Sequence, residues 1–248
     1  MVLLPEVGDV GWGDTLNDWL LVGHETDGTT IGNTDGWTDD SVNTWTRTAD
    51  QTFTVSGDRT EVFSKGTRLK WTQTTVKYGT VILSSHAAGI TTVTIATTTD
   101  YVLTAAAISL NYYSYAINPQ GYPAFFNYTP AWTSTGTAPA LVNGTLGGCF
   151  QVYGDMCSVS ARFVAGSSTT FGTGVYSFSY PITEADLGIS TYPGLAWAFD
   201  ASTGSYPGFW RAQNVGQLAT VPTTFWSNTV PFTWNSTDTA EFRHNYRI

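Results

Sequence analysis

Short stretches in which threonine or a charged residue alternates with a large apolar side chain constrain the fold of this chain most strongly. They recur through residues 46–110 at intervals of about eight to twelve residues, with turn residues between them. A period of two places alternate side chains on opposite faces of a strand, so one face can be buried. The pattern predicts a small β-barrel or sandwich, and its clearest examples are Phe53 and Val55, Leu69 and Trp71, and Val93 and Ile95.

Two stretches of this middle domain are less regular. We interpret "TEVFSKG", residues 60–66, as one more strand. The segment "VLTAAAISL", residues 102–110, fits a strand that runs on to residue 115, but its three alanines also fit a helix.

A second β region follows in residues 131–248. Tyr176, Phe178 and Tyr180 alternate there with small residues, and turn signals occur at Gly154-Asp155 and in residues 166–174. There is no tandem repeat of fixed period and no alternation of strands with long helices, which excludes α/β architectures. We therefore predict an all-β chain whose C-terminal domain is an antiparallel, jelly-roll-like β-sandwich.

The first 45 residues have a different character. Trp12, Leu16, Trp19 and Leu20 follow the helical period, so we predict a helix over residues 12–24. A helix this short is marginal alone in water, and its apolar stripe must dock on this chain or on neighbouring copies. Asp-Gly and Gly-Asn turns fill residues 25–45. We therefore assign residues 1–45 to an N-terminal helix and linker.

An aromatic segment, residues 111–130, connects the two β regions. Pro119, Pro123 and Pro130 preset an extended path, and each ring can bury about 150–250 Å². We predict that the segment lies between subunits or between domains; alternatively, its rings complete the cores of the two domains that they join. The rings are Tyr112, Tyr113, Tyr115, Tyr122, Phe125, Phe126 and Tyr128.

Composition excludes several classes of partner. Only 12% of residues are charged, and the formal net charge of −9 repels nucleic acid and anionic lipid. No run approaches the roughly 20 apolar residues of a membrane helix, and the N-terminus lacks the features of a signal peptide. We expect a soluble protein made in the cytoplasm, with no nucleic-acid partner and no membrane insertion.

The two cysteines, Cys149 and Cys157, form no C-x-x-C pair. A hairpin that turns near Gly154 would bring them within reach of a disulfide, whereas cytosolic synthesis favours free thiols.

Three parts of the sequence resemble one family, the fibre and minor structural proteins of tailed bacteriophages. Residues 11–29 look like the short N-terminal module of these proteins, with its W-G-x-x-L-N and H-x-x-D-G-T motifs. Residues 52–71 and 99–130 are similar to their middle module, and residues 150–182 and 231–248 to their C-terminal β-sandwich. The matches run in the family's order. The N-terminal motif residues are Trp12, Gly13, Leu16, Asn17, His24, Asp27, Gly28 and Thr29.

The resemblance implies a virion protein, made in the bacterial host, that assembles as a homotrimer. Other virion proteins would hold its N-terminal part, and the C-terminal domain would face outward. This leads to the hypothesis of a short tail fibre or tail-tip adhesin, with its place on the particle left open. The alternatives are a capsid decoration or head-fibre protein without a receptor role, and a free carbohydrate-binding module.

Catalytic and metal-binding patterns are weak. His24, His86 and His244 lie in three different modules, and there is no G-x-S-x-G motif. Glu184 and Asp186 stand two residues apart in a loop-like stretch, which favours solvated groups over a glycosidase pair. The acidic residues among the glycines of 27–40 lack the spacing of a calcium loop and fit Asx-turns better. We predict no enzyme activity, no cofactor and no metal site.

Aromatic residues of the C-terminal domain suggest a surface that binds a bacterial glycan, because sugar C–H faces stack on such rings. The first candidate is residues 198–213, interpreted as a loop that combines turn residues, rings and polar groups. In the alternative reading, Trp197, Phe199 and Trp210 point into the core of the sandwich. The candidate contacts are Trp197, Asp200, Tyr206, Trp210, Arg211 and Asn214.

Overall fold

The computed structural model describes residues 35–185, 193–213, 215–221 and 224–248. The predicted helix at 12–24 lies outside these residues, and so do its proposed interface residues Trp12, Leu16 and Trp19. In the described part of the chain, no helix has the length and hydrophobicity that a membrane crossing requires. The described residues form two antiparallel sheets, which confirms the all-β class.

The first sheet has seven strands in the order β1-β7-β4-β5-β6-β3-β2. Its edges, β1 and β2, do not pair with each other, so the sheet is open and the barrel alternative is wrong. Large side chains fill its core, among them Trp45, Phe53 and Trp71. The strands are β1 (Thr38–Asp39), β2 (Thr46–Ala49), β3 (Thr52–Ser56), β4 (Arg68–Gln73), β5 (Thr75–Ala87), β6 (Ile90–Ala96) and β7 (Ser109–Ser114).

Two predicted elements of this region differ from the structure. Residues 60–66 form turns, because the Asp58 carboxylate accepts hydrogen bonds from the amide and hydroxyl of Thr60 and bends the chain there. Phe63 nevertheless reaches the core and packs edge-on against Phe53. No α-helix forms at 102–110; a 3-10 turn at Thr99–Tyr101 leads to an irregular stretch before β7.

Residues 35–45, predicted as part of a linker, belong to the first sheet. Trp37 and Trp45 are buried, and β1 pairs with β7. Between them lies Asp40, only 2% exposed. Its carboxylate accepts a hydrogen bond from Trp45 Nε1 at 2.8 Å and pairs with Arg59 Nη2 at 2.6 Å. The polar residues of this segment therefore fix its path.

The second sheet has ten strands, nine of them in the order β8-β10-β11-β17-β13-β14-β15-β12-β9, while β16 pairs with β15. Its strands are β8 (Phe126–Tyr128), β9 (Trp132–Ser134), β10 (Thr145–Tyr153), β11 (Met156–Val164), β12 (Tyr176–Phe178), β13 (Pro193–Asp200), β14 (Gly204–Gln213), β15 (Val215–Val221), β16 (Thr224–Phe225) and β17 (Thr239–Arg247).

The second sheet curls so that its two halves face each other across one core. Trp132 of β9 packs on Phe163 of β11, with ring centroids 4.8 Å apart. Phe178 of β12 packs on Phe242 of β17 at 4.9 Å. The C-terminal domain is therefore sandwich-like, with an inner face that is buried and an outer face that points away from this core.

The aromatic segment 111–130 joins the two sheets through a shared core. Phe126 stacks on Phe150 of the second sheet at 5.5 Å and meets Tyr101, in the 3-10 turn that follows β6 of the first sheet, edge-on at 6.0 Å. The Tyr122 hydroxyl lies 2.5 Å from Thr80 Oγ1 of β5, and burial raises the pKa of Tyr122 to about 12. We call this cluster the junction; its buried residues are Ala96, Phe126, Phe150, Val152, Cys157, Val159, Ile182 and Tyr246.

The remaining rings of the segment lie elsewhere. Tyr112 lies under Lys70, whose Nζ is 4.3 Å from the ring centroid, and Tyr113 packs against the first core. Tyr115 is 64% exposed and Phe125 is 52% exposed. Some rings of the segment are therefore buried within this chain, and others stay exposed on its surface.

The two cysteines are free thiols. The β10–β11 hairpin pairs Tyr153 with Met156, and this register sets Cys149 opposite Ser160 and Cys157 opposite Val152. Because Cys149 and Val152 are an odd number of residues apart, the two thiols lie on opposite faces of the sheet. Burial raises the pKa of the Cys157 thiol to about 12.

Candidate functional site

The outer face of the second sheet carries a row of exposed apolar side chains on β13 and β14. Ala196 and Ala198 of β13 point inward, so the residues that alternate with them, Leu195, Trp197 and Phe199, point outward. Leu195 is 72% exposed and stands opposite Phe209, while Trp197 is 51% exposed and stands opposite Pro207. Exposed rings concentrated on one face are typical of an interaction site.

Charged side chains of β17 border this row. The register places Glu241 beside Trp197 and Arg243 beside Leu195. Across the next strand, Arg162 Nε lies 3.3 Å from Glu241 Oε1, and both side chains are more than half exposed. Because both side chains are exposed, their hydrogen-bonding atoms are available to a ligand.

A shallow groove of about 330 Å³ continues the face from β17 towards β8. The floor of the groove includes Gly147, and the space above it is open, because a Cβ atom there would meet no neighbouring atom within 4 Å. The groove and the apolar row together form a face with rings at one end and polar groups at the other. The groove's main side chains are Phe125, Asn127, Cys149, Arg162, Glu241 and Arg243.

The candidate contacts predicted from the sequence do not all lie on this face. Residues 198–213 form the end of β13, a tight turn and β14 rather than a loop. Trp197 lies on the outer face, and the backbone of Arg211 lies on β14 opposite Pro193. Asn214 lies outside the described residues. Tyr206 packs on Phe232 with ring centroids 5.0 Å apart.

Trp210 is not a surface residue, and its assignment as a glycan contact is wrong. The β13–β14 register pairs it with Gly194, an odd number of residues from Trp197, so the two indoles point to opposite faces. Trp210 has no exposed surface and packs on Phe242 at 4.0 Å. The alternative, in which the three aromatic side chains point into the core, holds for Trp210. Trp197 and Phe199 are exposed instead.

Asp200 stabilises the turn between β13 and β14. Its carboxylate accepts hydrogen bonds from the Ser202 amide and hydroxyl and from the Thr203 hydroxyl. The Ser202 side chain, followed by Thr203, lowers the pKa of Asp200. Asp200 is only 8% exposed and its carboxylate is engaged in this turn, so the structure gives no support to its predicted role as a glycan contact.

Several residues of the face were missed in the sequence. Glu241 and Arg243 alternate with Phe242 and His244, and this period of two shows that the charges share one face. Their position beside Trp197 depends on the pairing of β17 with β13, strands that are far apart in the chain. No local signal could supply that pairing.

Groups that could support catalysis are not brought together in the described residues. His86 lies near Asp58 in the first sheet, with 3.6 Å between Nδ1 and Oδ2, whereas His244 is buried in the second sheet with its Nδ1 2.9 Å from the Tyr180 hydroxyl. Burial raises the pKa of Glu184, and Asp186 lies outside the described residues.

The same part of the chain contains no cluster of three acidic, histidine or cysteine residues placed to hold a metal ion. Asp35 and Asp39 accept hydrogen bonds from the amides of Trp37 and Ser41, as Asx-turns do.

Comparison of the chain with protein-family models, curated proteins and solved structures finds no match.

Proposed function

We propose that this protein is a bacteriophage virion protein, a short tail fibre or tail-tip adhesin, whose outer face binds a glycan of the bacterial surface. The observation that carries the proposal is Trp197, half exposed beside the Arg162–Glu241 ion pair. The motifs that resemble phage fibre proteins support the virion role.

The chemistry of the face matches a glycan better than other ligands. An indole offers a flat apolar surface on which the C–H face of a sugar ring can stack, and it keeps a polar edge. Carboxylate and guanidinium groups at its side can exchange hydrogen bonds with sugar hydroxyls. The net charge of −9 disfavours nucleic acid and other strongly anionic partners.

The experiment replaces Trp197 with Ala and measures binding of the full chain to an array of bacterial capsular, O-antigen and cell-wall glycans. We expect affinity for the bound glycan to fall at least about tenfold, because exposed aromatic anchors carry much of the energy at such interfaces. Leu83→Ala is the matched control, since Leu83 is 60% exposed on the first sheet.

The Trp197→Ala variant must be folded for this comparison. A thermal midpoint equal to that of the wild type will show that it is. Retention of full glycan binding would contradict the proposed site. Absence of binding to every glycan by the wild-type protein would favour a capsid decoration role without a receptor.

The proposal includes a homotrimer, attached to other virion proteins through its N-terminal region. Tyr115 and Phe125 stay exposed and offer ring surface to a second copy. Light scattering of the full-length protein should give the mass of three 26.8 kDa chains. Three linked sites raise the avidity for a repetitive glycan without any new contact. A mass of one chain would contradict the trimer.

A further inference from the structure

A cleft of about 600 Å³ opens between the two sheets, beside the junction. Gln51 and the segment after β6, which includes Thr98 and Asp100, line it from the first sheet. Tyr128 of β8 and Phe150 of β10 line it from the second sheet. Ligand sites commonly form where two structural units meet in this way.

Both aromatic rings and polar side chains line the cleft. Rings of Tyr128 and Tyr180 supply flat apolar surface, while the amide of Gln51 supplies both donors and acceptors. Asp100, which is exposed, contributes the only charged side chain among the described lining residues. This combination favours a neutral molecule with many hydroxyl groups over an anion, a cation or an apolar ligand.

Two hydroxyl groups of the cleft residues have no hydrogen-bond partner within the described residues. They are Thr98 Oγ1 and Tyr128 OH, and both atoms are buried. Thr98 as a whole is only 6% exposed. Buried hydroxyls are usually hydrogen-bonded in folded proteins, so two unpaired ones at one cleft indicate a missing partner.

Gly148 permits the position of Tyr128. A Cβ atom at Gly148 would lie 2.5 Å from Tyr128 Cε1, so the Tyr128 ring can cover the β10 backbone only because this residue is glycine. The ring also meets Phe150 edge-on at 6.0 Å. Packing against Gly148 and Phe150 therefore sets the position of the Tyr128 ring in the cleft, without a hydrogen bond from its own hydroxyl to any described residue.

We propose that this cleft is a binding site for a single neutral sugar ring, such as a hexose or an N-acetylhexosamine. Thr98 Oγ1 and Tyr128 OH are buried at the cleft, so they bond hydroxyls of the sugar once the Thr98 side chain and the Tyr128 ring turn toward it, and Asp100 accepts from others. The proposal does not depend on the apolar row around Trp197, because Thr98 and Tyr128 lie on neither β13 nor β14.

The test uses the full-length protein and four probes: glucose, galactose, rhamnose and N-acetylglucosamine at millimolar concentration. Saturation-transfer NMR should show contact with at least one of them. Thr98→Val and Tyr128→Phe keep the shape of each side chain and remove the hydroxyl, so we expect affinity for that sugar to fall about tenfold in each variant. Tyr153→Phe, on an exposed tyrosine of β10, is the control.

A second measurement separates a sugar from ordered water. Without sugar, Thr98→Val and Tyr128→Phe should keep or raise the thermal midpoint, because each removes an unpaired buried hydroxyl. A clear fall would mean that bound water pairs these hydroxyls, and it would overturn the proposal. So would binding of no probe, or equal binding by the variants and the wild type.

Trp197→Ala distinguishes the two sites. We expect this variant to bind the small sugar as the wild type does, even if it loses binding to the larger glycan. Loss of the small sugar in Trp197→Ala would place it on the outer face and overturn the cleft proposal.

Discussion

Replacement of Phe126 with Ala should lower the free energy of unfolding by about 3–5 kcal/mol, the usual cost of removing a buried phenylalanine. Phe126 is 2% exposed and contacts rings from both sheets, so its loss leaves a cavity in the junction. The surrounding rings are held by two separate sheets and cannot easily collapse into that space. Guanidinium denaturation followed by far-UV circular dichroism measures the effect.

The neighbouring residue provides the control. Phe125 has the same side chain but is 52% exposed, so Phe125→Ala should cost less than about 1 kcal/mol. If the junction joins the sheets into one unit, the wild type should unfold in a single transition, and Phe126→Ala should shift or split it. Equal effects of the two substitutions would show that the junction does not hold the sheets together.

Replacement of Asp40 with Ala should have the second large effect. We expect it to lower the free energy of unfolding by about 2–4 kcal/mol. The change leaves the buried Trp45 Nε1 without its acceptor and Arg59 without its partner carboxylate. The Arg59 side chain is 26% exposed, so water compensates part of the loss and the effect stays below that of a fully buried pair. Urea denaturation measures it.

Asp50 offers a matched comparison in the same domain. It pairs with Arg47, but its side chain is 72% exposed. Asp50→Ala should therefore change stability by less than about 1 kcal/mol. An Asp40→Ala variant as stable as Asp50→Ala would contradict the view that the Asp40 network fixes residues 35–45 against the first sheet.

The alternating pattern predicted several strands well, because burial of one face dictates the period of two. β3 and β4 lie within the stretches around Phe53 and Leu69, and β6 overlaps the stretch around Val93. The pattern failed at residues 60–66, where "TEVFS" alternates in the same way but the Asp58–Thr60 turn bends the chain. Local turn chemistry outweighed the hydrophobic pattern there.

The candidate site was only partly predictable. Trp197 and Trp210 look equivalent in the sequence, since each lies in a stretch rich in aromatic residues. Which of them faces outward depends on the register of the β13–β14 hairpin and on the side that packs against Phe242. The same limit applies to the aromatic segment. Its rings identify it as a contact region, but the partner of Phe126, Phe150, lies in a distant strand.

The central claim is that a glycan lies against Trp197 on the outer face. Hydroxyl-radical footprinting tests it most directly, because the half-exposed Trp197 is open to oxidation whereas Trp210, with no exposed surface, serves as an internal reference. With a bacterial surface glycan bound, oxidation of Trp197 should fall strongly while that of Trp210 stays unchanged. Unchanged oxidation of Trp197 in the bound state would contradict the claim.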